Sequence, residues 1–128
     1  MEQELTAGLS KGQIAEFVED DQFFRESMRR LMRSLGYDVV AFPSAADFLA
    51  SPRLAETTCL IVDVHMPAMS GLMLHEHLIE AGYAIPTILV TADPDDVDRT
   101  RALNDGVVYY LRKLDEQHLI RSLRAALA

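Results

Sequence analysis

The sequence predicts an α/β domain in which five parallel strands form a doubly wound sheet with helices on both faces. Three observations predict it. Strand-like runs alternate five times with segments of helical period, and the connections between them are short, a pattern that implies right-handed crossovers between parallel strands. The runs 60–62 and 88–90 are apolar without polar alternation, as in strands buried on both faces. The chain has 128 residues, 49% of them hydrophobic, which suits one domain with a sizeable core.

Residues 1–12 show no sustained period and include Gly8 and Gly12, so they predict a flexible N-terminal tail ahead of a domain spanning 13–128. The first strand covers 14–18 and ends at Glu19, Asp20 and Asp21. From Gln22, Phe24, Met28, Leu31, Met32 and Leu35 recur at helical steps opposite Arg25, Arg29, Arg30 and Arg33, and Gly36 stops that helix. A second strand follows at 37–42, then a short helix opened by Ser44 and Asp47 and closed at Ser51-Pro52. The third strand, about 58–62, delivers Asp63. A third helix begins near Gly71 with Leu72, Leu74, Leu78 and Ile79 as candidate core residues. His75 and His77, about 200° apart around its axis, are expected to be solvated surface residues.

The fourth strand, 86–90, ends at Thr91-Ala92. Asp93 is the expected N-cap of the next helix, with Pro94 at its first position and Asn104-Asp105-Gly106 as its stop. The fifth strand covers 107–111 and is followed by Arg112-Lys113. Asp115 caps the expected fifth helix, with Leu114 and Leu119 spaced as a hydrophobic staple.

The net charge of −8 argues against direct nucleic-acid binding, which needs clustered cations on phosphates. No run approaches the roughly 18 apolar residues of a membrane span, and the polar start lacks a signal-peptide core. The single cysteine, Cys59, lies in an apolar run and is expected to be buried and inert; with no disulfide, the expected compartment is cytoplasmic.

Ligands of an open parallel sheet bind beyond the carboxyl ends of the strands, near the reversal of strand order. Here those ends carry Glu19 and Asp20, Asp63, Thr91 and Lys113. Carboxylates gathered at one rim repel each other unless a cation joins them, and Mg²⁺ is held by such hard oxygen donors. Asp63 is then placed to act as a nucleophile toward phosphorus, with Thr91 and Lys113 neutralising the transferred group. A nucleotide cofactor is disfavoured, because no glycine-rich loop follows the first strand and the acidic run would repel it. A phosphatase using an aspartyl phosphate typically needs a second Asp two positions after the nucleophile, where this chain has His65.

Over residues 13–127 the chain resembles the response-regulator receiver domains of bacterial two-component signalling. The resemblance rests on the acidic pair Glu19-Asp20, the D-x-x-M-P-x-M-x-G segment from Asp63 to Gly71, Thr91-Ala92 and Lys113, in family order and spacing. It implies a flavodoxin-like fold of sheet order 2-1-3-4-5 with five helices. It further implies that Asp63 accepts a phosphoryl group from a sensor histidine kinase or a phosphotransfer protein. Mg²⁺ would be held by Glu19, Asp20, Asp63 and the backbone carbonyl of His65. Thr91 and Lys113 would contact the phosphoryl oxygens, and Tyr110 would be the aromatic switch that turns inward with Thr91. The altered face would meet an output partner or a second copy of the chain on phosphorylation. Lys113 is the only lysine beyond the tail in a chain with ten arginines, and a compact ammonium suits a point contact to phosphate.

Two positions depart from the family pattern. Leu114 stands where a proline, often after a cis peptide, usually follows the lysine. A cis bond before a non-proline residue costs about 2.5–4 kcal/mol, so the Lys113–Leu114 peptide is expected to be trans. His65 and Asp93, each two residues past a site residue, are expected to modulate the lifetime of the phosphorylated state by shaping water access.

Overall fold

The computed structural model describes residues 14–113 together with 117, 120, 121, 124 and 125. The predicted tail, the Asp115 cap, the Leu114–Leu119 staple and the Lys113–Leu114 peptide lie outside them. Five strands form one parallel sheet: β1 (Ile14–Val18), β2 (Asp38–Phe42), β3 (Cys59–Asp63), β4 (Thr87–Thr91) and β5 (Tyr109–Arg112), in the order β2-β1-β3-β4-β5. Four helices connect them: α1 (Gln22–Ser34), α2 (Ala45–Leu49), α3 (Gly71–Glu80) and α4 (Asp96–Asn104), with a 3-10 turn at Leu54–Glu56 before β3. The described residues from 117 onward are helical, where the fifth helix is expected. The doubly wound parallel sheet is the one the alternation predicts, and its flavodoxin-like order is the one the family resemblance implies.

Period-two alternation sends neighbouring residues of each strand to opposite faces and so divides the core in two. Ala15, Phe17, Cys59, Ile61, Ile88 and Val90 meet Met28 and Met32 of α1 on one face. Val18, Leu60, Val62 and Leu89 meet Phe48 of α2, Leu74 and Leu78 of α3 and Ala102 of α4 on the other. β3 and β4 are buried at every position, so they tolerate no polar alternation. Cys59 is fully buried, and desolvation pushes its thiol up to about 12, out of reach of thiolate chemistry.

Several expectations are corrected. His75 is buried, with 4% of its surface exposed, because it lies three residues after Leu72 and three before Leu78, inside the apolar stripe of α3. Its Nδ1 has no hydrogen-bond partner, and burial lowers its pKa against the opposing pull of Asp105 and Glu76. Ile79, one step off that stripe, is 50% exposed and not a core residue. The N-cap of α4 is Asp95, whose Oδ1 accepts from the backbone N–H groups of Val97 and Asp98. Asp93 instead donates its N–H to Thr91 Oγ1, and Tyr110 Oη accepts from the N–H of Asp95, so the chain turns twice before the helix starts. β5 begins at Tyr109, two residues later than the apolar run suggests.

A polar exception sits in β1. Glu16 lies between Val40 and Leu60 in the sheet register and is 5% exposed, with its Oε2 buried and unpartnered. Desolvation raises its carboxyl to about 7, against a pull from Arg53.

Candidate functional site

The order of strands reverses between β1 and β3, which leaves β1 through α1 to β2 on one side and β3 through α3 to β4 on the other. Glu19, Asp20 and Asp63 emerge at that crevice. Glu19 continues the β1–β2 ladder through its N–H to Phe42 O at 3.0 Å, which holds it in the sheet rather than in a free loop. Asp21, read from the sequence as part of the acidic cluster, is the N-cap of α1 and accepts from the N–H groups of Phe23 and Phe24. It is removed from the site by that role, which leaves the other two acids facing Asp63. Arg25, one turn into α1, donates from Nη1 to the carbonyls of Glu19 at 2.8 Å and Asp20 at 3.4 Å. The backbone that presents both acids is thereby pinned.

Asp63 ends β3 and is buried. Its Oδ1 accepts from His65 N–H at 3.2 Å, and its Oδ2 lies 3.1 Å from Lys113 Nζ. Lys113 follows β5, and its own N–H bonds Thr91 O at 2.8 Å, so the ends of β4 and β5 hold Thr91 and Lys113 side by side. Lys113 also donates to Glu19 Oε1, while Glu19 Oε2 accepts from Asp21 N–H. Glu19 is fully buried; desolvation raises its carboxyl, Lys113 opposes this, and the Asp63 charge adds to it.

One carboxylate oxygen each from Glu19, Asp20 and Asp63 falls within 4.8 Å of the others. Oxygens on one Mg²⁺ stand at ~2.0–2.1 Å from the ion and therefore at most about 4.2 Å apart. An all-oxygen set with one exposed and two buried carboxylates fits Mg²⁺ after small side-chain movements and the release of Glu19 by Lys113.

Thr91 is fully buried. Tyr110 is 5% exposed, points to the α3–α4 side of the sheet, and lies under the Arg99 guanidinium at 5.4 Å. Its hydroxyl is tied to the first turn of α4, and burial raises its pKa. Tyr109, the other candidate aromatic, packs on the opposite face. The side chains of His65 and Asp93 are exposed, whereas their backbone N–H groups bond the Asp63 carboxylate and the Thr91 hydroxyl.

The sequence reading placed Gly71 at the start of the third helix and at the end of the motif, but gave it no packing role. A Cβ there would stand 2.5 Å from Asp63 O and 3.1 Å from Leu89 Cδ2, so the start of α3 presses on the backbone of Asp63. The nearest atom is backbone and cannot rotate away. Gly71→Ala is therefore expected to lower stability by roughly 1–3 kcal/mol, read by urea unfolding; an unchanged midpoint would mean the approach is looser than it stands. The signal was available, since a glycine at the first position of a helix has no propensity reason to be there.

A family model described as the response regulator receiver domain matches residues 17–124. Among relatives, Nodulation protein W of Bradyrhizobium diazoefficiens is 39% identical over 110 residues, which cover 85% of this chain and 48% of that protein. Response regulator protein TodT of Pseudomonas putida is 34% identical over 118 residues, covering 91% and 52%. The chain thus spans about half the length of the curated relatives it matches. Among solved structures, the response regulator StyR aligns with a TM-score of 0.77 at 36% identity, covering 91% of this chain and 60% of that one. The crystal structure of FixJ-N aligns at 0.78 and 27%, covering 92% and 95%. The match runs from within β1 to residue 124 and takes in every strand end that bears a candidate site residue: this chain belongs to the response regulator receiver domain family, the signalling domain of two-component systems.

Proposed function

We propose that this domain accepts a phosphoryl group on Asp63 from a histidine kinase or phosphotransfer protein, in a Mg²⁺-dependent reaction, and that the modified domain engages an output partner. The observation that carries the reading is the contact of the buried Asp63 carboxylate with Lys113 Nζ at 3.1 Å, beside the Glu19 and Asp20 oxygens. In the transfer, an Asp63 oxygen forms a bond to phosphorus as the P–N bond to the donor imidazole breaks; the departing nitrogen keeps the electron pair, and the imidazole leaves neutral with the proton already on its other ring nitrogen. Lys113 holds a phosphoryl oxygen as a point charge and Thr91 donates its hydroxyl to another. Glu19, Asp20, Asp63 and the His65 carbonyl hold Mg²⁺, which when bound neutralises charge on the transferring group. Drawing Thr91 toward the phosphoryl group frees space on the Tyr110 side of β4, which links the reaction to the position of α4. No described helix is long and apolar enough to cross a membrane, and a cytoplasmic setting, where such kinases present their phosphohistidine, completes the reading.

The test is transfer of label from a phosphorylated kinase or a small phosphodonor to the chain with and without Mg²⁺. A simpler observation accompanies it. With an assumed Kd of about 1 mM, 10 mM Mg²⁺ stabilises the fold by roughly 1.4 kcal/mol. Thermal unfolding should show that gain in the wild type and lose most of it in Asp20→Asn. An identical shift in both proteins would place the cation elsewhere.

A further inference from the structure

Lys113 Nζ lies 4.4 Å above the centroid of the Phe24 ring. The ring is backed by one neighbour, and the backbone that carries it is held at two points. Phe17, 1% exposed in β1, backs it with ring centroids 6.1 Å apart and planes inclined at 56°. Its backbone N–H is fastened to the Asp21 cap, and Arg25 beside it is bound to the carbonyls of Glu19 and Asp20. Phe24 is therefore a fixed surface at the edge of the site, while Lys113 is a long side chain with four rotatable carbons.

The geometry points to Phe24 as the positioning residue for Lys113, a cation–π seat that holds the ammonium between Glu19 and Asp63. This inference rests on the reading of Asp63 as phosphoryl acceptor. Its physical basis is the difference between two kinds of contact. Hydrogen bonds to Glu19 Oε1 and Asp63 Oδ2 are directional and must be exchanged when a phosphoryl oxygen becomes the better partner. Attraction to the face of a ring is weakly directional, so the ammonium can shift across it from one acceptor to the next without returning to water. Such a seat also answers the departure at Leu114. Where the lysine is followed by leucine in place of proline, a fixed aromatic face opposite the side chain restricts the ammonium from the other end.

The test replaces Phe24 by ring-fluorinated phenylalanines with one, two and three fluorines, which weaken the π face stepwise at nearly constant shape, and by Leu and Trp. The readout is the initial rate of Asp63 labelling by acetyl phosphate at saturating Mg²⁺, with thermal unfolding measured alongside. The expected result is a stepwise fall with each fluorine and a loss of roughly threefold to tenfold in Phe24→Leu, the size of a partly desolvated cation–π contact. Trp should retain or exceed the wild-type rate. A merely structural ring would give equal rates across the fluorinated series, and that outcome overturns the inference. Should Phe24→Leu fail to fold, the fluorinated series decides alone. Asp63→Asn separates the two levels: label persisting in that variant refutes the acceptor reading, whereas a silent Asp63→Asn with a flat fluorine series refutes only the seat.

Discussion

Asp63→Asn is expected to take up no label from a phosphorylated histidine kinase or from acetyl phosphate, under conditions in which the wild-type chain is labelled. The amide keeps the size of the side chain and one oxygen, so the fold has little reason to change. It lacks the anionic oxygen that attacks phosphorus in the proposed transfer, and it puts a neutral group 3.1 Å from Lys113. None of the three neighbouring acids is placed as Asp63 is, for distinct reasons. Glu19 is fully buried and committed to Lys113 and to the N–H of Asp21, and Asp21 is committed to the cap of α1. Asp20 is exposed and lacks the contact with the Lys113 ammonium that Asp63 has. The measurement is intact-protein mass after incubation with acetyl phosphate and Mg²⁺. A phosphorylated species in Asp63→Asn at the wild-type rate would move the acceptor to another residue.

Glu16→Leu is expected to stabilise the protein by about 3 kcal/mol at pH 8 and by much less at pH 5. Glu16 has an ordinary carboxyl pKa of 4.5 when exposed and about 7 when folded, raised by desolvation. The sign follows from linkage. A carboxyl whose folded pKa lies above its unfolded value carries no charge penalty below pH 4.5, loses stability as pH rises from 4.5 to 7, and bears the full penalty above 7. Two and a half units correspond to roughly 3 kcal/mol. The nearest opposing charge, Arg53, is exposed and paired with Glu56 at 2.8 Å, so it offsets little of this. Leucine has a similar volume and would join Val18 and Leu60 on that face of the sheet. Urea unfolding of both proteins at pH 5 and pH 8 gives the comparison, and other titrating groups cancel in the difference between them. A gain that does not change with pH would show that Glu16 finds a partner for its charge.

What the sequence displayed well were the places where local chemistry and tertiary position coincide. An apolar run that stops at a carboxylate marks a strand end, and four of the five strand ends together pointed to the crevice at Glu19, Asp20 and Asp63. Where several residues offered the same local chemistry, only packing could choose. Asp93, Asp95 and Asp96 are all adequate caps for α4, and the Tyr110 hydroxyl, fifteen positions away, selects Asp95 by binding its N–H. Asp20 and Asp21 are equally acidic, and the start of α1 divides them into a site residue and a cap. His75 was misplaced because it was paired with His77 instead of with Leu72 and Leu78. The contact between Phe24 and Lys113 had no local trace at all, since nothing near either residue in the chain announces the other.

The bond between Lys113 and Glu19 joins positions 94 residues apart, on strands that are not neighbours in the sheet. Bringing them together requires β3 and β4 to be in place between β1 and β5. The entropy of closing so long a loop is recovered only after the intervening strands have paired. The reactive rim is therefore among the last features to form as the chain folds, and it is open to any local unfolding of β5. On the proposed reading, phosphoryl acceptance by this domain reports that the sheet is complete.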